Sequence, residues 1–164
     1  MNQLLAMVIL SSCLSTTATA QQDCTQLKAE NESLRKALNI TKAIKEVSAD
    51  KIEFKLTKVE GNTKSQTVTC TVILTTTAAD WYINPQIKSI IDIEGNEYLL
   101  KSATYGALDY GAINLYTDVP IKCTFTFKGI LPTVKVIKLF KFRYSHRAGE
   151  PYSVEFRDLD IDWK

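Results

Sequence analysis

Residues 134–144 read VKVIKLFKFRY. Branched and aromatic side chains alternate with lysine and arginine, the period of two that puts one set on each face of a β-strand. Val134, Val136, Leu139, Phe140, Phe142 and Tyr144 do not keep one phase, which predicts a bulge near Lys138. The same alternation recurs on both sides. Strands are expected at about residues 51–60, 66–76, 86–94, 97–103, 119–128, 134–144 and 152–163, with no helix between them. In the last of these, Val154, Phe156, Leu159, Ile161 and Trp163 face inward with a phase slip near Asp158, leaving Glu155, Asp158, Asp160 and Asp162 outside. Gly61-Asn62 and Gly95-Asn96 read as tight turns, the second closing a hairpin. About seven short strands in succession require antiparallel pairing, so the expected fold is all-β, a sandwich or barrel.

Several segments carry a family resemblance. DIEGNEYLL (92–100), NLYTDVPIKCTFTFKGI (114–130), VKVIKLFKFRY and VEFRDLDIDW (154–163) resemble the immunoglobulin-like β-sandwich domains of uncharacterised exported bacterial proteins. The resemblance spans residues 51–164. It rests on a turn of the form D-x-x-G-N-x-Y, a strand entered through V-P and a final strand ending near an aromatic residue. Asp92, Gly95, Asn96, Tyr98, Val119, Pro120, Phe156 and Trp163 hold those places. They are fold-setting positions: Gly95 and Asn96 tolerate positive φ, and Pro120 opens a strand where no ladder donor is needed. The resemblance implies an antiparallel immunoglobulin-like sandwich of about seven strands with an extracytoplasmic role, and it brings no catalytic residues. Sandwiches of this class host many unrelated functions.

Upstream of Ser48-Ala49-Asp50 the composition changes. Residues 23–47, DCTQLKAENESLRKALNITKAIKEV, contain neither Gly nor Pro and read as one amphipathic helix. Cys24, Leu27, Asn31, Leu34 and Leu38 take successive a and d positions of a coiled-coil seam. An Asn at a core a position favours a parallel pair of helices, and Cys24 would then bridge two chains of a homodimer formed through residues 24–47. Further on, Thr41 and Lys45 enter the seam while Ala37, Ile40, Ile44 and Val47 leave it. Only a short seam survives, and a helix packed on its own domain is the alternative.

Residues 1–20, MNQLLAMVILSSCLSTTATA, contain no Asp, Glu, Lys or Arg, and the apolar run from Leu4 to Leu10 leads to small residues ending Ala18-Thr19-Ala20. That pattern is the apolar core and A-x-A cleavage site of a secretory signal peptide. The run is too short for a bilayer core, which takes roughly 20 apolar residues. Leu10-Ser11-Ser12-Cys13 offers a competing route, a lipobox whose acylated Cys13 would hold the protein on a membrane. Cleavage after Ala20 is the favoured expectation and places the protein in the secreted space or periplasm. The expected organisation is a signal peptide at 1–20, a helical segment at 21–50 and the sandwich at 51–164.

A formal net charge of +2 with both signs interspersed makes no electrostatic case for nucleic acid or an anionic membrane. The single histidine, His146, lies in YSHRAGEPY and reads as an exposed loop residue. Without C-x-x-C spacing or a G-x-S-x-G elbow, no metal, cofactor or serine-triad chemistry is expected. Asp158, Asp160 and Asp162 would stand roughly 6–7 Å apart on a straight strand, too far to share one calcium ion. They read as a solvated face that keeps an edge strand from pairing. Cys70 and Cys123 both fall in strands and form either a disulfide or two small buried residues.

Binding chemistry concentrates in two stretches. TYGALDYGAINLYTD (104–118) interleaves Tyr105, Tyr110 and Tyr116 with Gly106 and Gly111, a paratope-like composition. TTTAADWYINPQ (75–86) carries Trp81 and Tyr82, an aromatic pair suited to a sugar ring or a protein anchor. Trp81 also reads as a residue closing the end of the core. The expected function is therefore a non-enzymatic exported interaction module whose partner is a protein or a glycan. Its rival is a glycan hydrolase using Asp80, Asp92, Asp109 or Asp118, and a lipid-anchored envelope component is the third reading.

Overall fold

The computed structural model describes residues 26–31, 33, 42–78, 81–108, 111–146 and 151–164. The signal peptide, Cys13, Cys24, Leu34, Leu38, Asp80, Asp109 and Tyr110 lie outside the described residues. The chain divides into two units, residues 1–41 and 42–164. In the first, residues 26–31 and 33 are helical and Leu27 is exposed. The second unit holds all the strands among the described residues.

Those strands are β1 (Lys45–Ala49), β2 (Ile52–Asn62), β3 (Thr67–Thr76), β4 (Trp81–Pro85), β5 (Ser89–Asp92), β6 (Glu97–Tyr105), β7 (Ile113–Leu115), β8 (Ile121–Lys128), β9 (Val136–Ser145), β10 (Tyr152–Asp160) and β11 (Asp162–Trp163). Each of the seven expected strands is present. The last of them is divided into β10 and β11, and three more, β1, β4 and β7, were not expected. The helix predicted to run to Val47 is replaced from Lys45 by β1, whose residues pair with Ile52 to Leu56 of β2. Their helix-forming composition is overridden because the pairing satisfies the open edge of β2, a tertiary gain larger than a weak local preference. β4 and β7, five and three residues long, fall in the stretches 75–86 and 104–118, whose aromatic, Gly and Pro content reads as loop rather than strand.

Hydrogen bonds run along the path β1-β2-β3-β8-β6-β5-β9-β4-β7, with β10 on the other side of β9 and β11 beside β2. All strand pairs are antiparallel except β11 with β2. β6 turns the path from one layer to the other, because Glu97 to Leu99 pair with β5 while Leu100 to Tyr105 pair with β8. The result is sandwich-like. Phe54 of β2 meets Phe142 of β9 at 5.2 Å, and Phe125 of β8 meets the same ring at 5.5 Å. These rings, with Phe127, Phe140 and Phe156, are fully buried, and each contributes about 1.5–3 kcal/mol of apolar burial.

The phase irregularities appear where the alternation predicts them. Opposite β5, Leu139 pairs with Ile91 and Ile137 with Asp92, so Lys138 is the extra residue. Opposite β10 the register passes from Arg157 to Leu159, and Asp158 takes a φ of 55°. The Lys138 ammonium sits 2.7 Å from the Asp158 carboxylate, closing the two kinks together at the exposed surface. The Gly61-Asn62 turn is not found. β2 continues through both residues, Gly61 pairing with Val68, and the chain reverses over residues 63–66 instead.

Cys70 and Cys123 are free buried thiols, which corrects the disulfide alternative. Cys70 pairs with Phe125 and Cys123 with Val72, so the two cysteines stand diagonally across β3 and β8. Diagonal neighbours on adjacent strands are roughly 7–8 Å apart, beyond ordinary disulfide reach. Burial pushes both thiols up to about 12. In the native protein at pH 8, iodoacetamide is therefore expected to leave both unlabelled in a peptide map, with labelling complete after denaturation. Native labelling of either, or a peptide joining the two, would contradict this.

Candidate functional site

The inward side chains of β9 run Phe140, Phe142, Tyr144, and the row ends on His146 at one mouth of the sandwich. There the two layers meet through polar atoms. His146 Nε2 lies 2.6 Å from Asp50 Oδ2, and its Nδ1 lies 3.5 Å from the Tyr82 carbonyl. Asp50 reaches the imidazole because Asp50 and Lys51 both take positive φ, 53° and 64°, in the tight β1–β2 turn. With an acceptor at each nitrogen, the ring is fixed in place between the β1–β2 turn and the start of β4.

Aromatic rings enclose this pair. The Trp81 indole stands edge-on to His146 at 4.3 Å, Tyr152 lies 5.2 Å from the same imidazole, and Tyr144 lies 5.4 Å away. Tyr144 and Tyr152 stack at 5.7 Å, and Phe54 joins the inner end of the cluster 5.4 Å from Tyr144. The Tyr144 hydroxyl is buried and makes no hydrogen bond among the described residues. Burial first, then the charges of Asp50 and Tyr152, push it up to about 12.

Trp81 is half-buried in this mouth and packs against the core, the position of a residue closing the end of the sandwich. Tyr82 and Tyr116 are 50% and 51% exposed. Tyr82 faces Asn114 across the β4–β7 pairing, and Tyr116 follows β7 directly. Tyr105 is a correction: it is 7% exposed, with its ring 5.8 Å from Phe125, and burial raises it to about 12. It is a core residue because the end of β6 turns it inward. Tyr110 lies outside the described residues.

Asp92, named above among the hydrolase carboxylates, is 2% exposed and holds the β5–β6 turn together. Its Oδ1 accepts the backbone N–H groups of Glu94 and Asn96, both at 2.9 Å, and its Oδ2 accepts the Asn96 amide at 3.0 Å and the Tyr98 hydroxyl at 2.8 Å. Burial alone would raise this carboxyl, but the hydrogen bonds from Asn96, Tyr98 and Glu94 outweigh it and hold it below its ordinary value. Asp118 lies in a turn with φ 59°, its N–H donating to the Thr76 carbonyl. Asp80 and Asp109 lie outside the described residues.

Asp50, Tyr144, His146 and Tyr152 were not legible as a group. His146 is not the exposed loop residue expected, because its partner Asp50 is 96 positions away and only the closing of the two layers joins them. Among the described residues, no group of three or more His, Cys, Asp or Glu is placed to hold a metal ion. Nor is any described helix long and apolar enough to cross a membrane. No protein-family model matches the chain, and no curated protein matches its sequence.

Proposed function

We propose that this protein is an exported, non-enzymatic interaction module that holds a protein or glycan partner through aromatic side chains at the β4–β7 edge and the adjoining mouth. The observation carrying this reading is the pair Tyr82 and Tyr116, half-exposed large rings flanking the exposed Asn114 on a short edge ribbon. Rings displayed on paired backbone lose little side-chain entropy on contact and supply large contact area. An immunoglobulin-like sandwich is part of the reading. Taking β2, β3, β4–β5, β6, β8, β9 and β10 as A to G, the neighbours run A-B-E-D in one layer and C-F-G in the other, the order of a constant-type immunoglobulin domain.

Export rests on residues 1–20. Mass spectrometry of the mature N-terminus distinguishes cleavage after Ala20 from an acylated Cys13. For the surface, mature protein is tested for capture of envelope proteins and immobilised glycans. The double variant Tyr82→Ala/Tyr116→Ala is expected to weaken capture at least tenfold while stability changes by about 0.5 kcal/mol or less, since both rings are largely outside the core. Unchanged capture by the double variant would overturn this surface.

A further inference from the structure

β1 is held lightly. It is five residues long, stands at the end of the hydrogen-bonded path and, among the described residues, pairs with β2 alone. Lys45, Glu46 and Ser48 are exposed, and only Val47 and Ala49 pack on the core. The strand is therefore kept in place mainly by its backbone ladder, which runs from Lys45 opposite Leu56 to Ala49 opposite Ile52. The Ile44 N–H extends that ladder by donating to the Leu56 carbonyl at 2.7 Å. The turn joining β1 to β2 has two residues, and both take positive φ, Asp50 at 53° and Lys51 at 64°. A hairpin turn of this hand is ordinarily filled by Asn-Gly or Asp-Gly, and here Lys51 adopts it with a full side chain. Such strain persists only where neighbours hold it.

Two sets of contacts do the holding. The Lys51 carbonyl accepts the Thr77 N–H at 3.3 Å and the Thr76 hydroxyl at 3.2 Å, which continues the β2–β3 ladder beyond Ile52 and Thr76 and does not require a hairpin. The hydrogen bond between His146 Nε2 and Asp50 Oδ2, at 2.6 Å, does depend on the closed turn. Opening the turn relieves Lys51 and makes residues 45–62 one extended strand, but it bares the edge of β2 from Ile52 to Leu56. The segment that fits this edge in sequence and register is residues 45–49 of a second copy. We infer that the protein exchanges β1 between two copies of its chain, with Asp50 and Lys51 as the hinge and the Asp50–His146 hydrogen bond as the latch of the closed monomer. Each β1–β2 pair of the monomer is remade between chains, so the exchange sets loss of the latch and of independent motion against relief of the turn. The exchanged dimer therefore gains with protein concentration and with removal of the latch. It is independent of the partner-binding surface and of helix pairing through residues 24–47.

The test places a crosslink across the exchanged pairing. Ser48 and Glu53 stand opposite one another on β1 and β2. In mature protein carrying Cys24→Ser, the double substitution Ser48→Cys/Glu53→Cys is oxidised after refolding at low and at high protein concentration. The introduced pair joins within one chain in the closed monomer and between chains in the exchanged dimer, which a non-reducing gel separates. The between-chain share is expected to rise with concentration. Adding Lys51→Pro fixes φ near about −65°, which the closed turn does not accept, and should raise that share at least fivefold. His146→Ala, which removes the latch, should raise it by a smaller factor. Lys51→Gly keeps the latch and gives the turn its preferred residue, so it should lower the share at least fivefold. Lys51→Pro that folds with links only within chains overturns the exchange, even where light scattering finds a dimer, because that dimer is then held by another surface. If Lys51→Pro does not fold, equal between-chain shares for wild-type turn and Lys51→Gly at high concentration, none in either included, overturn it instead. An unchanged share in His146→Ala overturns the latch.

Discussion

Replacing Gly61 by valine is expected to destabilise the protein by about 2–3 kcal/mol and to release its C-terminal strand. A Cβ at Gly61 would overlap the six-membered ring of the Trp163 indole, which lies flat against the bare β2 backbone. The indole is itself held in place, donating from Nε1 to the Val134 carbonyl at 2.7 Å. Around it the chain end is tied down by Lys164 N–H to the Gly61 carbonyl, by Thr63 N–H to the Lys164 carbonyl, and by the Lys164 ammonium to Glu60. The cheapest relaxation is for β11 to leave. Trp163 fluorescence, read in a Trp81→Phe background, should therefore shift to longer wavelength together with the loss of stability in urea. Removing residues 162–164 abolishes the same contact, so combining the truncation with Gly61→Val should destabilise little more than either alone. Wild-type stability for Gly61→Val, or full additivity with the truncation, would show that the contact does not matter.

Asp92→Ala should cost about 3 kcal/mol at neutral pH. It strands the N–H groups of Glu94 and Asn96 and the Tyr98 hydroxyl in a site where the carboxylate is 2% exposed. Asp92→Asn keeps the shape but loses the charge and presents an N–H group where a donor already points. Its penalty should be smaller and should depend on pH. The native carboxyl lies below its ordinary value of 3.8, so its contribution is complete above that pH and disappears as the pH falls through the native value. The stability gap between wild type and Asp92→Asn should accordingly narrow between pH 5 and pH 2, which urea melts across that range would measure. A gap that stays constant with pH would mean that the carboxylate charge plays no part in holding the turn.

These two residues separate what was readable from what was not. The turn around Asp92 was legible because its partners lie within six positions: D-x-x-G-N-x-Y holds the carboxylate, the positive-φ glycine and both side-chain donors in one short window. Assigning Asp92 also to a hydrolase failed because sequence does not reveal that each of its oxygens already accepts two hydrogen bonds. Gly61 was misread outright. Glycine followed by asparagine is a turn signal, but this glycine is needed for close approach of a ring 102 positions later, and the turn falls beyond it. Composition does not separate Tyr116 from Tyr105: both lie in the same Tyr- and Gly-rich stretch, yet Tyr116 is exposed and Tyr105 is buried.

The sequence by itself determined the β character of the body, seven of its strands and the irregularities at Lys138 and Asp158, because side-chain period is a local property carried by residues two apart. Tertiary structure alone decided that Lys45–Ala49 pairs as a strand, that Cys70 and Cys123 stand diagonally as free thiols, and that Asp50 meets His146 among the aromatic rings of the mouth. Each of those outcomes depends on which distant strands become neighbours. That choice is made by burying the Phe54, Phe125, Phe140 and Phe142 rings together, an energy that belongs to the whole sandwich and to no single segment.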